Sequence, residues 1–298
     1  MKSLVALDWG TSSLRAALLD GQGIAREERT LPRGILSVAA GEFPAVFEDA
    51  CGDWMSAGSP LALIAGMAGS RQGWIEAAYC PCPAGFSDIA AQLAWAQPGR
   101  VAIVPGLCCE GADAPDVMRG EETQVFGALS LLGRSSGVLV LPGTHSKWVQ
   151  VQDHRVQRFA TFMTGEFYAL LRRHSLLART LPAADGEMDE GAFRRGVDHA
   201  ARSANLLHAA FSVRTLSLFD RWPAAAMPSY LSGLVIGEEL RSQHLGAPAG
   251  PVVVVGSPAL TRRYVLALDT LGVASQPVGS QATWRGLWAI AQTLESTA

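Results

Sequence analysis

Long apolar runs are missing from this chain of 298 residues, and none approaches the roughly 18–20 consecutive positions that a bilayer-spanning helix requires. The N-terminus also lacks the apolar core of a secretory signal, since Asp8 interrupts it early. The expected location is therefore cytoplasmic, with no membrane partner. Charge of one sign is equally scarce. Lys and Arg number 24 against 27 Asp and Glu, a formal net charge of −3, which gives no footprint for nucleic acid. Cysteine is sparse and badly spaced for its structural uses. Cys51, Cys80, Cys82, Cys108 and Cys109 make an odd count with one C-x-C and one vicinal pair, neither a disulfide framework nor a C-x-x-C zinc pair. They read as reduced thiols packed as small apolar side chains, with a metal site at Cys80-Pro81-Cys82 as the alternative. Two nucleotide motifs are absent as well. Without G-x-x-x-x-G-K-[ST] there is no P-loop, and without G-x-G-x-x-G after the first strand a Rossmann site is not expected.

What is present is a core-forming composition, 49% hydrophobic and 17% charged, with no low-complexity tract. The length suits two domains sharing a cleft better than one. A duplication supports that division. Leu4 to Leu7 reads as a strand, Asp8-Trp9-Gly10-Thr11-Ser12-Ser13 as a turn, Leu14 to Leu19 as a second strand, and Ile24 to Thr30 as a third after the turn at Asp20. The same unit returns as Val138 to Leu141, Pro142-Gly143-Thr144-His145-Ser146, Lys147 to Gln152, and Arg155 to Thr161. Gly10, Thr11 and Asp20 match Gly143, Thr144 and Asp153 at a constant offset of 133 positions. Two related domains, each opening on a meander with a Gly-Thr turn, follow.

Further elements are expected between and after these meanders. Leu61 to Ala65 and Val101 to Val104 read as strands, and Glu121 to Leu132 as a helix crossing between the domains. Gly165 to Leu177, Asp189 to Phe211, Tyr230 to His244, Thr261 to Leu271 and Thr283 to Leu294 read as helices, and Val252 to Val255 as a buried strand. Linkers are expected at Gly133 to Gly137 and Gly246 to Pro251.

A hairpin of Gly, Thr and Ser points backbone N–H groups and hydroxyls inward and makes an anion nest. Two such nests can hold the phosphates of a nucleotide, and an acid at the end of the first strand, Asp8, can hold Mg²⁺. The matching position of the second repeat is Leu141, so that turn is expected to grip phosphate without adding a metal carboxylate.

Asp8-Trp9-Gly10-Thr11 and its hydroxyl-rich hairpin are similar to the first phosphate motif of the sugar-kinase/actin/Hsp70 superfamily. Pro142 to Ser146 looks like the second. Val252 to Ser257 looks like the adenosine motif, with Ser257 in place of the usual second Gly. More narrowly, five segments resemble the 2-dehydro-3-deoxygalactonokinase family along nearly the whole chain. They are Asp8 to Arg15, Gly66 to Trp74, Met118 to Gln124, Leu141 to Trp148 and Met163 to Glu166. The resemblance implies an α/β chain of two RNase H-like (actin-like ATPase) domains, mixed sheets flanked by helices with a cleft between them. The boundary is expected at residues 1–133 and 134–298, the closing helix at about 283–294 having the option of packing back on the N-terminal domain.

The implied activity is ATP-dependent, Mg²⁺-assisted phosphorylation of 2-dehydro-3-deoxygalactonate at its 6-hydroxyl. The partners are a sugar acid and ATP, and monomer and homodimer both stay open. Nucleotide contacts are expected from Gly10, Thr11, Ser12, Ser13, Gly143, Thr144, His145, Ser146, Lys147, Gly256 and Ser257. His145 reads equally as a residue stabilising its turn, and Lys147 equally as the partner of a surface acid. Glu121 and Glu122 stand where acids favour a helix start anyway. In related sugar kinases the acid that takes the substrate's proton precedes the crossing helix, which makes one of these two the base, Glu121 by preference. Arg71, flanked by Ser70, Gln72 and Trp74, is the expected substrate contact, because a guanidinium suits a carboxylate. Arg119 and Arg15 are secondary candidates. Trp148, Trp284 and Trp288 read as core. The rival readings are a kinase of another sugar or sugar acid, a same-fold ATPase or phosphohydrolase, and a non-catalytic sugar-sensing regulator.

Overall fold

The structure is a computed structural model and describes residues 3–58, 61–111, 114–184, 186–243 and 250–297. In the first half, strands Ser3–Trp9 (β1), Leu14–Asp20 (β2) and Ala25–Leu31 (β3) are followed by helix Phe43–Ser56 (α1). Then come Ala62–Gly66 (β4), Tyr79–Pro81 (β5), Phe86–Ala90 (α2), Ala94–Gln97 (β6), Val101–Ile103 (β7), Gly106–Cys109 (β8), Asp116–Met118 (β9) and Glu121–Leu131 (α3). The second half opens on Gly137–Leu141 (β10), Ser146–Gln152 (β11) and Arg155–Phe162 (β12). Helices Thr164–His174 (α4), Glu190–Arg202 (α5), Leu206–Ala210 (α6), Ser212–Leu218 (α7) and Met227–Ser242 (α8) follow. Val252–Val255 (β13), Pro258–Thr270 (α9), Ser275–Val278 (β14) and Gln281–Thr297 (α10) complete it.

The first sheet has the order β3-β2-β1-β4-β7-β6. The β1–β2–β3 meander is antiparallel, β4 and β7 run parallel to β1, and β6 returns antiparallel. The second sheet, β12-β11-β10-β13-β14, repeats the order of the first five strands, with β10 and β13 parallel. This is the mixed-sheet, RNase H-like arrangement twice over. A third, small sheet, β5-β8-β9, was not foreseen, because strands of three or four residues carry no readable period.

Contacts divide the chain into two units, and neither is one continuous stretch. Met1–Gly137 groups with Val149–Ala160 and Val278–Ala298, while Val138–Trp148 groups with Thr161–Pro277. Local hydrogen bonds explain why the tip of the β11–β12 hairpin joins the first unit. Ala84 and Val156 exchange backbone bonds at 3.1 and 2.8 Å, His154 N–H donates to Ser135 O, and Arg155 pairs with Asp88 at 2.9 Å. The closing helix belongs to the first unit through α3. A Cβ on Gly127 would stand 1.8 Å from Ala282 O, and one on Gly286 would stand 1.9 Å from Thr123 O, so each helix axis passes over a glycine of the other. The core of this unit joins the inner faces of β1, β2, β4 and β7 to α1 through Trp9, Phe43, Phe47 and Trp54. In the second unit Phe193, Ile236, Tyr264 and Leu268 pack helices against Val140, Val252 and Val254 of the sheet.

Several expected helices change extent. The stretch 189–211 is broken, because Asn205 turns extended and its side chain accepts from His208 N–H at 3.0 Å, starting α6 anew. The expected helix from Gly165 ends at His174, where Ser175 caps a separate 3₁₀ turn. Helix α9 starts at Pro258, a residue suited to the first helical position because its missing N–H is not needed there. His244 and the expected linker residues 246–249 lie outside the described residues.

Candidate functional site

Strand β1 brings Asp8 to the end of the first sheet, with Trp9 wholly buried beside it. The Asp8 carboxylate pairs with the guanidinium of Arg15, its cross-strand partner. Between them the Gly10–Ser13 turn closes through Gly10 N–H to Ser13 O at 2.9 Å. The carbonyls of Gly10 and Thr11 accept from Ile35 and Leu36 N–H at 3.0 and 3.3 Å, which fixes the turn from behind. Thr11 and Ser12 remain exposed.

Two glycines with positive φ bring the remaining acids to this strand end. Gly66, at the end of β4 with φ 94°, is in register with Trp9, and a Cβ there would stand 3.4 Å from Asp8 Oδ1. Gly120, with φ 105°, precedes α3, and a Cβ on it would stand 3.1 Å from Gly66 Cα. An L side chain at either position would be strained as well as crowded. Helix α3 therefore begins next to Asp8.

Glu121 and Glu122 share the first turn of α3, but their surroundings differ. Glu122 is fully buried. Its Oε2 accepts from Gly120 N–H at 2.7 Å and its Oε1 has no partner. Burial first, and then the neighbouring charge of Glu121, push this carboxyl up to about 8. Glu121 is half-buried and accepts from Arg119 N–H at 3.0 Å.

The two arginines of this region also part company. Arg71 is 88% exposed and pairs at the surface with Glu76 at 3.0 Å. Arg119 lies over the Tyr79 ring at 4.3 Å and donates through Nη2 to Ala77 O at 2.8 Å. Its Nε and Nη1 are buried without hydrogen-bond partners, as is Ser70 Oγ. Nη1 crowds the residue before that serine, since a Cβ on Gly69 would stand 2.8 Å from it. Trp74 packs on Trp9 and Phe47, with centroids at 6.3 and 5.6 Å, and so joins the edge of the core. Gln72 is exposed.

In the second unit, parallel β10 and β13 end side by side, which places Pro142-Gly143 next to Gly256. A helix covers the second turn. Glu166 N–H donates to Thr144 O at 3.0 Å, and a Cβ on Gly165 would stand 2.4 Å from Gly143 O. The N-terminus of α4 thus meets the Gly-Thr turn directly, and its Glu166 N–H is taken by the Thr144 carbonyl. His145 Nε2 lies 2.6 Å from Glu166 Oε2, a pairing that steadies the turn.

The Ser146 hydroxyl needs correction as a direct nucleotide contact. The Ser146 side chain is wholly buried and donates to Glu239 Oε2 at 2.7 Å, so its hydroxyl faces the interior rather than the turn's open side. Lys147 is also buried, at 6% exposure. Glu239 was not anticipated. Its sequence signal is faint, because Glu238 beside it is a second acid of the same largely buried α8 and only the fold shows which of the two faces the interior.

Beside the second turn lies a largely apolar cavity of ≈ 230 Å³, lined by Gly143, Gly165, Tyr168, Ile236, Leu260 and Arg263 among others. That is a slot for a planar base rather than for a whole drug-sized ligand, which needs about 300 Å³ or more. Gly256 is half-buried, and Ser257 is exposed at the start of α9. Among the described residues, no three His, Cys, Asp or Glu side chains cluster to cage a metal. The five cysteines are free thiols, and burial raises those of Cys51 and Cys82.

Residues 8–290 match the family model of 2-keto-3-deoxy-galactonokinase. The 2-dehydro-3-deoxygalactonokinase of Escherichia coli (strain K12) is 36% identical over 292 residues, covering 97% of this chain and 98% of that protein. A protein named as a probable 2-dehydro-3-deoxygalactonokinase from Rhizobium meliloti (strain 1021) is 38% identical over 302 residues, covering 97% and 96%. A crystal structure from Sinorhizobium meliloti, given the same activity provisionally, matches with a TM-score of 0.90 at 36% identity, covering 98% of this chain and 99% of that one.

Proposed function

Because this chain belongs to the 2-keto-3-deoxy-galactonokinase family, we propose that it transfers the γ-phosphoryl group of ATP to the 6-hydroxyl of 2-dehydro-3-deoxygalactonate. The observation that carries the reading is the meeting at Gly66 of Asp8, its Gly-Thr turn, and the acid-bearing start of α3. Phosphoryl transfer needs little covalent chemistry from the protein. It needs phosphate grips, charge neutralisation and a positioned proton acceptor.

The grips are the Gly10–Ser13 turn, through the Thr11 and Ser12 hydroxyls and backbone N–H groups, and the Gly143–His145 turn with the N-terminus of α4 behind it. The cavity beside Gly143 takes the nucleoside, with Gly256 and Ser257 at its approach. Asp8 is the residue that would hold Mg²⁺, whose charge would offset that building on the transferring phosphates. A single carboxylate suits this ion, which keeps water and phosphate oxygens around it.

Glu121 accepts the proton of the attacking hydroxyl. Glu122 is a poor base, because a carboxyl titrating at about 8 holds its proton at neutral pH. Arg119 binds the substrate carboxylate together with Ser70, since both keep buried polar atoms without partners. Arg71, paired with Glu76 at the surface, is the lesser candidate. No helix among the described residues is long and apolar enough to cross a membrane.

The test is ADP release measured across a panel of sugar acids and neutral sugars. Turnover that requires 2-dehydro-3-deoxygalactonate supports the proposal. Turnover independent of any sugar would instead mean an ATPase, and turnover only with other sugars would discard the substrate.

A further inference from the structure

Helix α8 is buried along almost its whole length, and Glu239 is 3% exposed within it. An acid there is costly unless its charge is matched by donors. Four surround it. Trp148 Nε1–H donates to Oε1 at 2.6 Å, while Ser146 and Tyr264 hydroxyls donate to Oε2, each at 2.7 Å, and Thr164 Oγ1 donates to the same oxygen. Burial raises this carboxyl and the hydrogen bonds pull it back.

The donors come from three different elements. Ser146 and Trp148 lie on β11, the strand that leaves the Gly143–Thr144 turn. Thr164 opens α4, whose next residue, Gly165, lies against Gly143 O. Tyr264 belongs to α9, which starts after Gly256-Ser257. Thr164 and Tyr264 also line the cavity beside Gly143. One carboxylate therefore ties the turn, the helix behind it and a cavity wall to α8.

We propose that Glu239 is a positioning residue for the nucleotide, setting the second glycine turn at a fixed distance from the cavity wall without touching the ligand. The inference rests on the nucleotide reading given above. Glutamine is the informative replacement. It keeps the shape and one acceptor for Trp148, but presents two N–H donors to three hydroxyls that now donate inward. At least one of the four bonds is lost, and the hydroxyls must turn.

Titration calorimetry with ADP on the purified full chain tests this without any phosphoryl acceptor. Glu239→Gln should raise the ADP dissociation constant about tenfold, ~1.4 kcal/mol, while the KM for the sugar acid stays within about twofold. Trp148→Phe, outside the cavity lining, removes one donor and should weaken ADP by a smaller factor. The double variant should be less than additive, the sign of a shared path. An ADP constant unchanged in folded Glu239→Gln would overturn the proposal, as would equal losses for ADP and sugar acid. Should Glu239→Gln not fold, an unchanged ADP constant in Trp148→Phe overturns it instead. Wild-type protein that fails to bind ADP would overturn the nucleotide reading itself, and this inference with it.

Discussion

Gly165 lies so close to Gly143 that a Cβ at position 165 would stand 2.4 Å from the Gly143 carbonyl oxygen. Backbone is on both sides of this contact, so an added methyl can be accommodated only by moving α4 off the turn. Gly165→Ala should cost about 1–3 kcal/mol in stability and weaken ADP binding at least about tenfold. Calorimetry on the folded variant, beside its melting curve, measures both. An alanine variant with native ADP affinity would show that α4 does not set the turn.

Asp8→Asn removes the charge facing Arg15 while keeping the shape. It should lower kcat by about a hundredfold or more, in the range that loss of a transition-state electrostatic contact produces. The Mg²⁺ concentration giving half-maximal rate should rise in parallel. A Mg²⁺ titration at saturating ATP checks this, and an unchanged Mg²⁺ requirement would remove Asp8 from the metal.

Glu121→Gln and Glu122→Gln should separate cleanly. A glutamine cannot accept the substrate's proton, so the first should cost about 10²–10⁴ in kcat with little change in KM. The second replaces a carboxyl that is already neutral at pH 7 and should keep most of the rate. The reverse order would move the base to Glu122.

Glu122 also makes stability depend on pH. Its folded value of about 8 lies above the ordinary carboxylate value of 4.5, so the folded state holds a proton that the unfolded chain has released. Its contribution is fully present below about 4.5, declines as pH rises, and is lost once pH passes about 8. The loss across that window is on the order of a few kcal/mol at most. Denaturant unfolding of wild type and Glu122→Gln at several pH values should show the slope in the first and not in the second. Parallel curves would mean that Glu122 is ionised throughout.

Arg119→Lys keeps the positive charge but loses the planar fork. It should raise the KM for the sugar acid about tenfold or more, whereas Arg71→Ala should change it less than about threefold. Steady-state kinetics at saturating ATP decides between the two arginines.

The Asp8–Ser13 turn could be read from sequence because a Gly-Thr-Ser-Ser hairpin is a local pattern, and its repeat at Gly143 doubled the signal. Glu239 could not. Its four partners stand 25 to 93 residues away in sequence, and no window along the chain brings them together. The same limit hid the difference between Arg71 and Arg119. Both stand beside glycines just past a strand, and only the fold shows which guanidinium is buried. Alternation along β11 indicated that Lys147 and Trp148 face opposite sides. It did not foretell that both sides are covered, so that both residues are buried.

The crossing of α3 and α10 at Gly127 and Gly286 has a consequence for the order in which the protein is made. The first phosphate turn lies near the start of the chain, yet the unit that holds it lacks a helix until residues 281–297 emerge. At ribosomal rates the wait after α3 is roughly ten to thirty seconds. Every residue of the second unit, 138–148 and 161–277, is synthesised during that interval. The half of the molecule that is translated first is therefore the half completed last, and its α3 face waits uncovered on the nascent chain.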